Sequence, residues 1–162
     1  MWSKKIHKML KINMLRIFFR SILGARTGRE VIDTDRMIVE KAGMEITGIF
    51  RRYGEKHFRD LETEVIREAA ASAGVIISTG GGAVLREENV DALRRNGRLV
   101  WLDRKPEDLV PTDDRPLADS REKMAALYAA REPIYRATAD ERIAVTGSAE
   151  DTADETESRW NA

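Results

Sequence analysis

Short runs of β-branched and apolar residues alternate along this chain with stretches in which apolar residues recur every three or four positions. Val31-Ile32 is the first such run and ends in Asp33-Thr34-Asp35. A helix from about Asp35 to Ala42 places Met37, Ile38 and Ala42 together, and Gly43 stops it. A second helix, from about Glu45 to Tyr53, gathers Ile46, Ile49, Phe50 and Tyr53 on one face and ends at Gly54. A third continues from Glu55 to Ala73, with Phe58, Leu61, Val65 and Ile66 inward, and is closed by Gly74. Val75-Ile76-Ile77 reads as a strand covered on both faces and runs into Thr79-Gly80-Gly81-Gly82. Helical spacing returns from Arg86 to Arg95. Leu99-Val100-Trp101-Leu102 is another buried strand, closed by Asp103. A short helix is expected over 106–110, then a polar loop over 111–121 punctuated by Pro111 and Pro116. The last helix, Arg121 to about Ala137, is expected to kink or break at Pro133. Arg142-Ile143-Ala144-Val145 is the final strand, and the tail from Ser148 is polar and acidic. No internal repeat is visible.

Apolar strands alternating with helices predict an α/β fold with a mostly parallel sheet flanked by helices. Ligands of such sheets sit outside the carboxyl ends of the strands. Asp33/Asp35, Gly80–Gly82 and Asp103 all fall at those ends.

Composition narrows the chemistry. The 162 residues suit one domain able to bury about 70% of its unfolded surface. With no cysteine there is no disulfide scaffold and no thiolate zinc site. Two histidines, His7 and His57, cannot make a three-histidine metal site. No apolar run approaches the roughly 18 residues of a membrane span. A cytoplasmic protein is expected.

Lys+Arg and Asp+Glu both total 28, but the balance is uneven along the chain. Residues 1–29 carry eight basic residues and no acid, so residues 30–162 carry 20 basic against 28 acidic ones, a net of −8. An atypical basic leader is therefore expected over residues 1–22, ahead of a domain over 23–162. Asn13, Arg16 and Arg20 interrupt its apolar stretch, which argues against a signal peptide. A loosely packed amphipathic leader, an organellar or membrane-surface helix, and an N-terminus without an evolved role all remain open.

Several residues have the right chemistry for a site. Paired aspartates such as Asp33 and Asp35 can hold Mg²⁺ through water and accept a proton from a hydroxyl, although helix capping explains one of them equally well. Three consecutive glycines are costly unless the backbone needs positive φ or close approach to a ligand, so Gly80–Gly82 point to a binding wall more than to a plain turn. Arg59 and Glu62 are three apart on a helix, and a guanidinium held by a carboxylate can grip a substrate carboxylate with two parallel bonds. A solvated surface ion pair is the commoner arrangement. Arg131 carries the same ambiguity. Arg115, on the polar loop, is either an ordinary exposed arginine or one that closes over phosphates.

In order, the chain reads Asp-Thr-Asp (33–35), Phe-Arg-Asp-Leu-Glu (58–62), Thr-Gly-Gly-Gly-Ala (79–83), Asp-Arg-Pro-Leu (114–117) and Arg-Glu-Pro-Ile-Tyr (131–135). This set, over about residues 23–147, resembles the shikimate kinase family of small P-loop phosphotransferases. The resemblance implies a P-loop kinase-like fold and transfer of the γ-phosphoryl of ATP to the 3-hydroxyl of shikimate, on the route through chorismate to aromatic amino acids. It implies that Asp35 binds the shikimate hydroxyls and orients the attacking one. It places Asp33 near Mg²⁺, Arg59 and Arg131 on the shikimate carboxylate, Gly80, Gly81 and Gly82 along the pocket wall, and Arg115 at the nucleotide phosphates. ATP and Mg²⁺ are the implied cofactors and shikimate the partner, with a monomer, no nucleic acid and no membrane span expected.

One part departs from the family pattern. A loop of the form Gly-x-x-Gly-x-Gly-Lys-Ser/Thr belongs at roughly residues 10–17, where its backbone N–H groups would cradle phosphates. The chain there reads Leu10-Lys11-Ile12-Asn13-Met14-Leu15-Arg16-Ile17, with no glycine before Gly24. Arg16 falls about where the lysine belongs, and Ile17 replaces the hydroxyl residue. The central first strand of the sheet is expected to be atypical or absent as well. Two readings follow: a shikimate kinase, or a catalytically silent relative that keeps the acceptor pocket without a nucleotide cradle. The second predicts little ATP-dependent phosphorylation of shikimate.

Overall fold

The computed structural model describes residues 19–105 and 120–160. Helix α1 covers residues 19–27. It is followed by β1 (Val31–Asp33), α2 (Thr34–Ala42), α3 (Ile46–Ala70) and β2 (Ile76–Ser78). A single 3₁₀ turn (Ala83–Leu85) leads to α4 (Glu87–Arg94), β3 (Val100–Asp103), α5 (Arg121–Thr138), β4 (Glu141–Ala144) and α6 (Ala149–Trp160). The helix and loop expected over 106–110 and 111–121 lie, up to residue 119, outside the described residues, as does the segment at 10–17. Among the described residues no helix is long and apolar enough to cross a membrane.

The two helices expected on either side of Gly54 are joined into α3, with Gly54 itself non-helical at φ 81°, ψ 172°. The glycine breaks the helical path between the two segments, as expected, in a conformation that a residue with a Cβ rarely adopts. Gly43 caps α2 in the left-handed region, at φ 64°. The apolar stripes of α2 and α3 meet in one core of Ile38, Ile49, Phe58 and Val65. Phe50 stacks obliquely on Phe58 at 4.6 Å between ring centroids. α5 continues through Pro133.

The acidic tail forms a helix, which its polar appearance conceals. Ser148 and Asp151 cap it reciprocally: the Asp151 N–H donates to Ser148 Oγ (3.1 Å), and the Ser148 N–H donates to Asp151 Oδ2 (2.8 Å). Its buried stripe is Ala149, Thr152, Ala153 and Thr156, at helical spacing but made of small residues.

Among the described residues all strand pairing is parallel, as the alternation of elements predicts. β1 pairs with β2 in the register Val31↔Ile76 to Asp33↔Ser78. β3 pairs with β4 from Val100↔Glu141 to Asp103↔Ala144. Among the described residues β2 and β3 do not pair with each other. Instead Ile76, Ile77 and Ser78 on one side and Val100, Trp101 and Leu102 on the other line one cavity of about 780 Å³, shared with Phe19 and Leu23 of α1. The expected first strand lies by position outside the described residues.

Candidate functional site

The site is built where β1 and β2 end. Thr34, fully buried, donates its hydroxyl to the Ser78 carbonyl (3.3 Å) and ties the start of α2 to the end of β2. The two neighbouring aspartates divide their work. Asp33 caps α2, its Oδ1 accepting the Asp35 N–H at 3.0 Å, and its other oxygen pairs with Arg20 of α1. Asp35, in the first turn of α2, faces the glycine run. A Cβ on Gly80 would stand 3.1 Å from Asp35 Oδ1 and 3.6 Å from Glu62 Oε1.

Each of the three glycines meets a different functional side chain. A Cβ on Gly81 would stand 2.8 Å from the Tyr135 hydroxyl and 3.8 Å from Arg131 Nη1. One on Gly82 would lie 2.5 Å from Arg59 Cζ. None of the three has positive φ, so left-handed backbone is not their reason. Close approach is: five charged or polar side chains crowd this strip of backbone, and a methyl group would displace one at Gly81 or Gly82 and press on Asp35 at Gly80.

Arg59 is not on a solvated face. It is 8% exposed, its Nη1 donates to Glu62 Oε2 at 2.5 Å, and its guanidinium lies 4.9 Å from the Phe58 ring centroid. Glu62 is 1% exposed. Burial pushes its carboxyl above the ordinary range, against the pull of Arg59 and Arg131, and the nearby Asp35 carboxylate pushes the same way. Two carboxylates and two guanidinium groups therefore sense one another here. The arrangement suits a small anion that also carries hydroxyls: forked donors for the anion, a carboxylate acceptor for the hydroxyls, and bare backbone for the flat side of the molecule.

A shikimate kinase family model matches residues 20–160. The chain belongs to the shikimate kinase family. It is 44% identical over 131 residues to a shikimate kinase of Symbiobacterium thermophilum, covering 75% of each chain. It is 43% identical over 115 residues to one of Neisseria meningitidis, covering 67% of this chain and 68% of the relative. The fold overlays a shikimate kinase from Acinetobacter baumannii in complex with shikimate at a TM-score of 0.84 and 30% identity, covering 90% of this chain and 86% of that one. An Aquifex aeolicus shikimate kinase gives 0.77 at 27% identity, with 88% of each chain covered.

Of the residues that resemblance to shikimate kinases singled out, the structure gathers Asp35, Arg59, Gly80, Gly81, Gly82 and Arg131 in one place. Arg115 lies outside the described residues. Asp103, the third strand-end candidate, is engaged elsewhere. Buried at the end of β3, it accepts the Tyr128 hydroxyl at 2.8 Å and Arg142 through Nε (2.9 Å) and Nη2 (2.6 Å).

The described residues offer no all-protein cage for Mg²⁺, and the expectation for Asp33 is contact through water. One Asp33 oxygen caps a helix, the other meets a guanidinium, and no group of three or more acidic, histidine or cysteine side chains among the described residues could hold a metal. Sequence reasoning gave no site role to Tyr135 or Arg20 and read Glu62 only as a partner of Arg59. Tyr135 follows Arg131 by four positions, which is the signal that could have placed both on one helix face. Arg20 had no such signal, being one cation among many in the basic segment.

Proposed function

We propose that this chain is a shikimate kinase that binds shikimate between Asp35, Arg59, Arg131 and the Gly80–Gly82 wall. The reaction is transfer of the γ-phosphoryl of ATP to the 3-hydroxyl of shikimate, in the formation of chorismate and the aromatic amino acids. The observation that carries this reading is the convergence of Arg59, Arg131 and Asp35 on one strip of glycine backbone. Shikimate is a cyclic carboxylic acid bearing several hydroxyls. Arg59 and Arg131 present two planar forks to its carboxylate, and Glu62 keeps the Arg59 fork from rotating away. Asp35 accepts the ring hydroxyls, orients the one that attacks and takes its proton. Positioning is most of what a phosphotransferase asks of its protein, and this half of the site supplies it for the acceptor.

Shikimate kinases use ATP and Mg²⁺, and ATP supplies the group transferred. Arg115 is assigned to the nucleotide phosphates. Asp33 is assigned to Mg²⁺ through water, alongside its role as the cap of α2, and no step is routed through the ion. The working form is a cytoplasmic monomer.

The sequence at residues 10–17 favours a second reading, a silent relative that keeps the acceptor pocket alone. Bulky side chains there cannot form the nest of N–H groups that phosphates need. Calorimetry with shikimate, followed by an assay for shikimate 3-phosphate with Mg-ATP, tests both. Saturable shikimate binding with product formation is expected. Binding without product selects the second reading, and absence of shikimate binding overturns both.

A further inference from the structure

Tyr135 has a place in this pocket that its mere presence at the end of the Arg-Glu-Pro-Ile-Tyr run does not explain. Its hydroxyl donates to the Gly81 carbonyl at 2.7 Å. It lies one helical turn beyond Arg131 on α5, and Arg131 Nη1 and the Tyr135 hydroxyl both approach the same glycine. The ring is held from behind: it packs on Trp101 of β3 at 5.7 Å between centroids, and the Arg142 guanidinium lies 5.1 Å from the Trp101 centroid. Gly81 has no side chain of its own to fix its peptide, and no positive φ to lock it. The Tyr135 hydroxyl is the bond that joins the glycine wall to the helix carrying Arg131.

We propose that Tyr135 is a positioning residue for acceptor binding. It sets the orientation of the Gly81 peptide and the distance between the glycine wall and the Arg131 guanidinium. The phenol needs no contact with the substrate. Its effect reaches an anionic, hydroxylated ring through two groups that do make contact, and the inference rests on the shikimate pocket proposed above. Without the hydroxyl, the Gly81 peptide can rotate and α5 loses its tie to the wall. The two sides of the pocket then no longer come preassembled, and the ligand must pay to order them.

The test compares full-length wild type, Tyr135→Phe, Gly81→Ala and the double variant by shikimate calorimetry, with thermal midpoints measured without ligand. Wild-type binding is the control for the pocket itself: if wild type does not bind shikimate, the pocket assignment fails, and this proposal falls with it. If wild type binds, Tyr135→Phe is expected to raise the shikimate Kd about tenfold, the effect of one hydrogen bond. Its thermal midpoint should stay within a few degrees of wild type. Gly81→Ala should weaken binding more in the wild-type background than in Tyr135→Phe, because the atom its methyl group meets first is the Tyr135 hydroxyl. An unchanged Kd in Tyr135→Phe, or strictly additive effects in the double variant, would overturn the proposal. So would a loss of binding that only tracks a large fall in thermal midpoint.

Discussion

The Arg59 guanidinium fills the space into which a side chain at residue 82 would grow, its Cζ 2.5 Å from where the Cβ of Gly82 would be. The contact is with the far end of a long side chain, which ordinarily can swing aside. Here it cannot do so freely, since Arg59 is buried and tied to Glu62. Gly82→Ala is therefore expected to push the guanidinium off its acceptor-facing position, with some loss of stability as its bond to Glu62 is strained. Loss of one charged hydrogen-bonding group is worth about 1.5–3 kcal/mol, so shikimate affinity should fall by roughly 10- to 100-fold. Calorimetry beside a thermal melt checks this, and unchanged affinity would remove Arg59 from the carboxylate clamp.

The two clamp arginines differ in what lies behind them. Arg59→Ala strips the counter-charge from a carboxyl that is 1% exposed, so stability falls together with shikimate binding, by about 3–5 kcal/mol if Glu62 stays charged. Protonation of Glu62, already raised by burial, limits that loss. Arg131→Ala leaves no such buried charge and should weaken shikimate binding with a near-normal melt. Both variants should affect shikimate more than nucleotide. Equal effects on the two ligands would reject the clamp roles.

The sequence displayed the acceptor side of this site because its residues sit where chain geometry forces them. Strand ends put Asp35 and Gly80–Gly82 on one edge, and helical spacing put Arg59 beside Glu62. What periodicity could not reveal was the purpose of the glycines, which leave room for five incoming side chains within the turn they form. Nor could it separate Asp33 from Asp35: two residues apart at a strand-to-helix junction, one caps and the other faces the pocket, and only the direction of the helix decides which. Asp103 looked equally suited to chemistry, yet it is spent on Arg142 and Tyr128. The helix at the C-terminal end escaped notice because its buried stripe is alanine and threonine, which carries almost no hydrophobic signal.

That helix depends on its capping pair. Ser148 and Asp151 exchange bonds through both backbone N–H groups, and Ser148 Oγ also donates to Asp151 Oδ2 at 2.8 Å. The hydrogen bonds from the Ser148 backbone N–H and then from its hydroxyl hold the Asp151 carboxyl below the usual carboxylate range. Ser148→Ala should cost about 0.5–2 kcal/mol, read as a lower denaturation midpoint with unchanged slope. No change in midpoint would mean that α6 is held by its packed face alone.

The Tyr128–Asp103–Arg142 cluster gives the protein a pH dependence of known sign. Burial and then the hydrogen bond to Asp103 push the Tyr128 phenol up to about 12, from an ordinary value near 10. The native state thus keeps a proton that the unfolded chain releases earlier. A group raised in this way contributes its stability fully below the unfolded value and loses it as pH climbs through the folded one. Native protein should accordingly lose stability between about pH 10 and 12, beyond what its other groups cause. Tyr128→Phe removes the titrating proton, so its melting curve should fall less steeply over that window while starting lower at neutral pH. Ultraviolet titration of the folded protein should show one tyrosine ionising late, and that late step should vanish in Tyr128→Phe. Parallel pH–stability curves for the two proteins would mean that the Tyr128 hydroxyl does not bond Asp103 in the native state.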